Sequence, residues 1–309
     1  MDLAAHLRTL AARAHLSMRE LRSLSGLDPR DRAAVWPEWQ RIPSGRRIEI
    51  AHAMVELAED NIDLDFTVMF QWLLDDADAT VRASAIEGLW ECDALPILRR
   101  MLMLLSDPAA EVRAAAAMAL GRFAYMAEIE AIDATYGQQV HDALLTLIRD
   151  PSQPTDVRRR AIESAGYFAE SDEVQQQIEL AYASPDQMMR ESALTAMGRS
   201  MLPRWLPIVS RELESPSPAL RYEAARAAGE MADLARSLVL RVVRLCSDAD
   251  TEVALAAIWA LGQIGGETAR RTLQRISGSD DEARSQAAAE ALDELTLEEG
   301  FSSGDWHNN

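Results

Sequence analysis

Apolar residues recur at three- and four-residue intervals over most of this chain, the period of helices that bury one face. Leu95 to Leu105, Leu206 to Leu213 and Leu238 to Leu245 each carry one such stripe, and Ser/Asp-Pro turns such as Ser106-Asp107-Pro108 end helices of this kind. A second, more stereotyped helix alternates with them. It reads Thr80-Val81-Arg82-Ala83-Ser84-Ala85, then Glu111-Val112-Arg113-Ala114-Ala115-Ala116, then Asp156-Val157-Arg158-Arg159-Arg160-Ala161. Further copies run from Met189-Arg190 to Ala193, Leu220-Arg221 to Ala224, Val253-Ala254 to Ala257 and Ala283-Arg284 to Ala287.

The anchors Arg82, Arg113, Arg158, Arg190, Arg221, Ala254 and Arg284 are spaced by 31, 45, 32, 31, 33 and 30 residues. An apolar residue precedes each anchor, Ala follows three later, and Leu, Met or Ala follows seven later, so one helical stripe is apolar. Gly stands eight after the anchor at Gly121, Gly166, Gly198, Gly229 and Gly262, where it can either end the helix or admit a close neighbour. Four before the anchor stand Asp78, Asp186, Ser217, Asp250 and Asp280, whose side-chain oxygens can cap a helix N-terminus, with Pro218 at a first helical position. Each copy therefore predicts a helix A, a short turn and an anchor-bearing helix B. Neither helix can bury its stripe alone, so consecutive pairs must stack, and the expected fold is an all-α solenoid.

Helix pairs of about 31 residues with a D-x-x-x-V-R-x-x-A-x-x-A-L-G signature resemble the HEAT family, in particular its short bacterial subgroup labelled phycobilisome-lyase HEAT-like. Seven copies span residues 62–297. The resemblance implies a right-handed superhelix with the B helices on its concave side, and a ladder of anchor Arg and turn Asp residues between repeats. Ala254 and the long interval before Arg158 depart from the pattern. That interval adds about fourteen residues at 124–137. They are expected either as a partner-contacting edge or as local packing in which Ile129 and Ile132 extend helix B. Residues 1–61, broken by Asp28-Pro29, Trp36-Pro37 and Ile42-Pro43, are expected to form an N-terminal helical cap. The polar, Gly/Ser-containing stretch 298–309 is expected to be a disordered tail.

Composition narrows the function. Almost half the residues are apolar but only 6% are aromatic, which favours close-packed helices over sheets. The formal net charge is −19, so the mean field repels nucleic acid and acidic membranes in the absence of a segregated basic face. All 31 basic residues are Arg, which favours planar, bidentate ion pairs. The run Arg158-Arg159-Arg160 could hold a phosphate, but in this acidic surrounding local ion pairing is the expected fate. Cys92 and Cys246 lie far apart and outside any CxxC spacing, which predicts neither a disulfide framework nor a zinc site and suits a reducing cytoplasm. No apolar stretch reaches membrane-spanning length. The Arg-rich amphipathic segment Leu3 to Leu24 reads as a capping helix rather than a transit peptide.

Candidate chemistry is sparse. None of the five His is followed by Glu, so the paired His-Glu iron ligands of the HEAT-like deoxyhypusine hydroxylases have no counterpart. No GxSxG, P-loop or HExxH pattern occurs. The expectation is no catalytic residue, no metal and no cofactor. The resemblance leaves one enzymatic alternative, a bilin or tetrapyrrole lyase-like subunit. For binding, residues one, five and nine after each anchor face away from the buried stripe. They include Tyr167, Arg199, Tyr222, Arg226, Trp259 and Gln263, together with Met118 and Arg159. Tyr, Trp and Arg recur as binding hot spots, so these residues are expected to line a concave groove centred on copies three to six. The competing reading is that Tyr222 and Trp259 merely cover neighbouring helices. The expected function is a non-enzymatic scaffold or adaptor for a protein or peptide, monomeric unless self-association caps an end.

Overall fold

The structure, a computed structural model, describes residues 3–13 and 15–303, with side chains described as far as Leu297. Among the described residues there are eighteen α-helices and no strand, as the periodicity predicts. The chain divides into two compact units, Met1–Ser164 and Ala165–Asn309.

The first unit opens with α1 (Leu3–Ala12), α2 (Met18–Leu21) and α3 (Arg32–Arg41), which bury Leu7, Leu10, Leu21, Val35 and Trp39. Trp36-Pro37, expected as a break, lies inside α3; the helix is held by burial of Val35 and Trp39, whose indole N–H donates to Asp76 Oδ2 at 2.6 Å. Helix α4 (Ser44–Asp60), within the segment expected as a cap, carries the spacing of an anchor helix. Arg47 stands at its anchor position, Ile50, Ala51 and Met54 follow at the buried places, and Arg47 Nη2 lies 3.2 Å from Asp76 Oδ1. Then come α5 (Thr67–Leu73) with α6 (Ala79–Glu87), α7 (Leu95–Leu104) with α8 (Ala110–Glu128), and α9 (Ala134–Arg149) with α10 (Thr155–Ala165). Anchor helix packs on anchor helix, α4 on α6 and α6 on α8.

The added residues before Arg158 lengthen two helices. Buried Phe123 and Ala124 carry the α8 stripe onward to Glu128, Glu130 turns the chain with φ of 57°, and α9 starts at Ala134. Ile129 stays exposed beyond the helix and Ile132 is half-buried, so neither extends helix B.

The second unit pairs α11 (Asp172–Tyr182) with α12 (Gln187–Ser200), α13 (Leu206–Glu212) with α14 (Pro218–Glu230), α15 (Val239–Leu245) with α16 (Thr251–Ile264), and α17 (Gly266–Ser277) with α18 (Glu282–Ser303). Helices α12, α14, α16 and α18 pack in succession. The expected tail begins inside α18, where Glu298 and Glu299, both good helix formers, carry the helix on; residues 304–309 lie outside the described residues. Ala-rich stripes let these helices approach closely. A Cβ added to Gly166 would stand 2.7 Å from Ala196 Cα, and one added to Gly198 would stand 2.8 Å from Ala227 Cα. The repeated Gly is therefore a close-approach residue and not a left-handed helix end. Cys246 sits in this core, where burial pushes its thiol up to about 12.

Caps and ladder follow the resemblance with exceptions. Asp78, Asp186 and Asp250 accept from the N–H of Thr80, Met188 and Glu252 at 2.9, 2.9 and 3.0 Å. Ser217 makes no such bond. Because α18 starts at Glu282, Asp281 takes the capping place expected of Asp280 and accepts from Arg284 N–H at 3.1 Å. Arg82 grips Asp107 through Nε and Nη2 at 2.9 and 2.7 Å, and Arg221 grips Asp248 at 2.8 and 2.8 Å. Arg113 instead donates from Nε to Gln153 Oε1 at 3.0 Å, and Arg158 to the Ile148 carbonyl at 3.1 Å.

Candidate functional site

In the first unit the solvent face of the anchor helices encloses a cavity of 620 Å³ between α4, α6 and α8. His52, Glu87 and Met118 stand five after Arg47, Arg82 and Arg113, so one column of the repeat supplies all three. Ala83, one after its anchor, and Arg122, nine after, complete the geometry inferred from the helical period. Trp90, 58% exposed, forms a further wall. It occupies the place that Gly holds in five other copies. Helix α6 ends at Glu87; at Gly88, still right-handed, an added Cβ would stand 2.3 Å from the Phe70 ring, and the chain then turns and carries Trp90 outward. Beyond Trp90 lies a second cavity of 400 Å³ lined by Ile62, Phe66, Phe70 and Leu89, with Glu59 and Trp90 common to both.

Most of the other candidates lie in the second unit, where four of them form two pairs. The Arg199 guanidinium lies 5.2 Å from the Tyr167 ring, and Arg226 lies 3.9 Å from the Trp259 ring. Gln263 Nε2 donates to Glu294 Oε2 at 2.8 Å. Glu230 sits in the fields of Arg199 and Arg226, yet burial outweighs them and holds its carboxyl above the usual carboxylate range. Tyr222 and Trp259 are half-buried against the core of α14 and α16, and the Trp259 ring lies so close to Gly229 that a Cβ there would stand 2.3 Å from Cζ3. Both aromatics thus pack on this core while staying partly exposed, and the Trp259 ring lies over Gly229 of α14.

Met118 and Arg159 belong to the first unit. Met118 is 52% exposed on the 620 Å³ cavity. Arg159 is engaged locally, its Nε 2.8 Å from Asp156 and its Nη1 3.6 Å from Glu163, while Arg160 Nη1 lies 2.8 Å from Glu163. These contacts and the Arg158 bond account for the basic run.

The profile described as HEAT repeats matches residues 66–138 and 206–293, more than half of the sequence. This chain belongs to the HEAT-repeat family. The match reaches no finer subgroup, and no curated protein matches the sequence. Among solved structures, the HEAT chain is similar to the Escherichia coli protein YibA, with 18% identity over 78% of this chain and 96% of that one at a TM-score of 0.43. An engineered protein shares 18% identity over 95% of this chain and 88% of that one, TM-score 0.39. A chain of the Kap95:Nup1 complex shares 14% over 98% of this chain but 47% of its own length, TM-score 0.47.

Among the described residues of this HEAT protein, no group of three or more His, Cys, Asp and Glu is placed to hold a metal, and no helix is long and apolar enough to cross a membrane. His6 is occupied structurally, bonded to Ser23 Oγ at 2.6 Å and the Glu20 carbonyl at 3.0 Å. Reasoning from sequence missed His52, Glu59 and Trp90. The signal for Trp90 was an aromatic residue in the Gly column; His52 was hidden with the unrecognised copy at Arg47.

Proposed function

We propose that this HEAT-repeat protein is a non-catalytic, cytoplasmic scaffold that holds a protein or peptide on the solvent face of its anchor helices. The observation that carries the reading is the 620 Å³ cavity lined by three successive anchor helices, with the large apolar side chains of Trp90 and Met118 exposed on it. Support comes also from the second unit, where the ring and guanidinium pairs hold Tyr167, Arg199, Arg226 and Trp259 in place, so that little side-chain ordering would accompany binding. Two cysteines unpaired with each other suit a reducing compartment. The tetrapyrrole-lyase alternative gains nothing from a family match to HEAT repeats at large.

The test is affinity capture by the full chain from extract of its native cell, with quantitative mass spectrometry. Wild type is compared with Trp90→Ala/Met118→Glu and with Tyr222→Ala/Trp259→Ala, each checked for helical content and melting. A specific partner should be retained by wild type and reduced about tenfold or more by at least one pair of substitutions. Folded variants that all retain the wild-type set of proteins would sink the proposal.

A further inference from the structure

The two cavities of the first unit share Trp90 as a wall, and carboxylates surround them. Glu59, Glu87 and Glu111 border the larger cavity, and Asp65 and Glu91 border the smaller; all five are exposed. The opposing charge is Arg122, already facing Asp93 at 3.9 Å, and His52 when protonated. Glu111 accepts from Thr80 Oγ1 at 3.4 Å and Asp65 from Thr67 N–H at 2.9 Å. Among the described residues, Glu59, Glu87 and Glu91 pair with no basic side chain. Inside this acidic border the walls are apolar: Ile86, Ala115 and Met118 on one side of Trp90, Ile62 and Phe66 on the other.

Such a site selects by sign. A second copy of this chain, net charge −19, would bring like charge to the border, and an acidic segment would leave the carboxylates without partners. A neutral apolar segment would fill the cavities but leave the border uncompensated. We infer that the double cavity takes a basic, apolar segment of a protein partner: two large apolar side chains, one on each side of Trp90, flanked by Arg or Lys residues that meet Glu59, Glu87, Glu91 and Glu111. A flanking guanidinium or ammonium can also stack on the exposed Trp90 ring. The inference rests on the scaffold reading and specifies the partner's chemistry for this unit.

The experiment is display selection of a random short-peptide library on the immobilised full chain, followed by fluorescence anisotropy with the most enriched peptide. Enriched sequences should carry two large apolar residues and an excess of Arg and Lys over Asp and Glu. Affinity should fall about tenfold or more on Trp90→Ala and on the surface charge reversal Glu87→Arg/Glu111→Arg, and should also fall as NaCl rises from about 50 to about 500 mM. The charge-reversed protein should regain affinity for the same peptide with its basic residues replaced by Glu. Both substitution sets lie on exposed side chains, and circular dichroism confirms the fold.

Neutral or acidic consensus sequences would overturn the inference, as would affinity indifferent to these substitutions or a failure to enrich any peptide. Peptide binding that survives Trp90→Ala but is lost on Trp259→Ala would remove this inference and leave the scaffold reading standing on the second unit. Absence of both an enriched peptide and a captured cellular partner would remove both.

Discussion

At the residue scale the anchor arginine is a splice between three chain segments. Arg82, Arg113 and Arg221 each donate from Nη1 to the carbonyl six residues earlier, at Asp76, Asp107 and Ser215, with distances of 2.8, 2.8 and 2.9 Å. In copy six the anchor is Ala254, which would leave the Asp248 carbonyl without its donor. Arg284 of the next copy reaches that carbonyl from Nη2 at 2.9 Å, so the position is filled from the neighbouring repeat. The Arg221–Asp248 pair is largely shielded, with side chains 17% and 10% exposed, and bidentate. Arg221→Ala should lower unfolding free energy by about 2–3 kcal/mol, since it removes charge-assisted bonds and strands the Ser215 carbonyl. The Arg221 guanidinium holds the Asp248 carboxyl below the usual range. A depressed carboxylate contributes stability that is present above its unfolded pKa of about 4 and lost as pH falls through its folded value. Asp248→Asn should therefore be less stable at neutral pH and show a shallower loss of stability below about pH 4. Urea unfolding across that range checks this; parallel acid limbs for wild type and variant would contradict it.

At the scale of elements, the repeated Gly sets how closely successive anchor helices lie. Gly166 has backbone as its neighbour, Ala196 Cα at 2.7 Å and Ala196 O at 2.8 Å from an added Cβ, so no side chain can swing aside. Gly166→Ala should destabilise by about 1–3 kcal/mol through overpacking. Gly45, in the first turn of α4, has nothing within 4 Å of an added Cβ, and Gly45→Ala should stabilise by about 0.5 kcal/mol. Thermal or urea unfolding of the two variants must move in opposite directions if space, and not helix propensity alone, decides. The same contrast explains what was legible in the sequence. The seven later anchor helices were readable because Arg, the buried Ala three later and the close-approach Gly all recur. The copy at Arg47 was not, because Val55 replaces the Gly, Pro43 replaces the capping Asp and Arg46 replaces the preceding apolar residue, while the buried Ile50, Ala51 and Met54 keep the stripe. Burial thus preserves the helix with Arg47 as its one remaining marker. Among the outward columns, the helical period alone brings Glu87, Met118 and Arg122 to one cavity, while Glu163 of the same columns is buried. What periodicity could not reveal was where they enclose space, because that depends on α6 stopping at Glu87 and turning Trp90 outward.

At the scale of the whole molecule, charge is the property that packing leaves uncompensated. Fifty Asp and Glu face 31 Arg, so even complete pairing would leave the formal charge at −19. Shielded pairs such as Arg82–Asp107, with side chains 11% and 7% exposed, are little affected by salt, whereas repulsion among exposed carboxylates acts over the Debye length of about 30 Å at 0.01 M and 10 Å at 0.1 M. Attraction in the many exposed pairs is individually weak. The two effects oppose each other, and the excess of acid decides the sign. Raising NaCl from about 10 to about 300 mM should raise the melting temperature, by about 2–4 °C for each kcal/mol of repulsion removed. Chloride is the appropriate anion because sulfate would strengthen apolar burial as well and confound the two. Scanning calorimetry across the series gives the sign directly. A melting temperature that falls with NaCl would mean that exposed Arg–carboxylate pairs outweigh the excess charge, and that the acidic border around Trp90 is less available to a basic partner than its unpaired carboxylates imply.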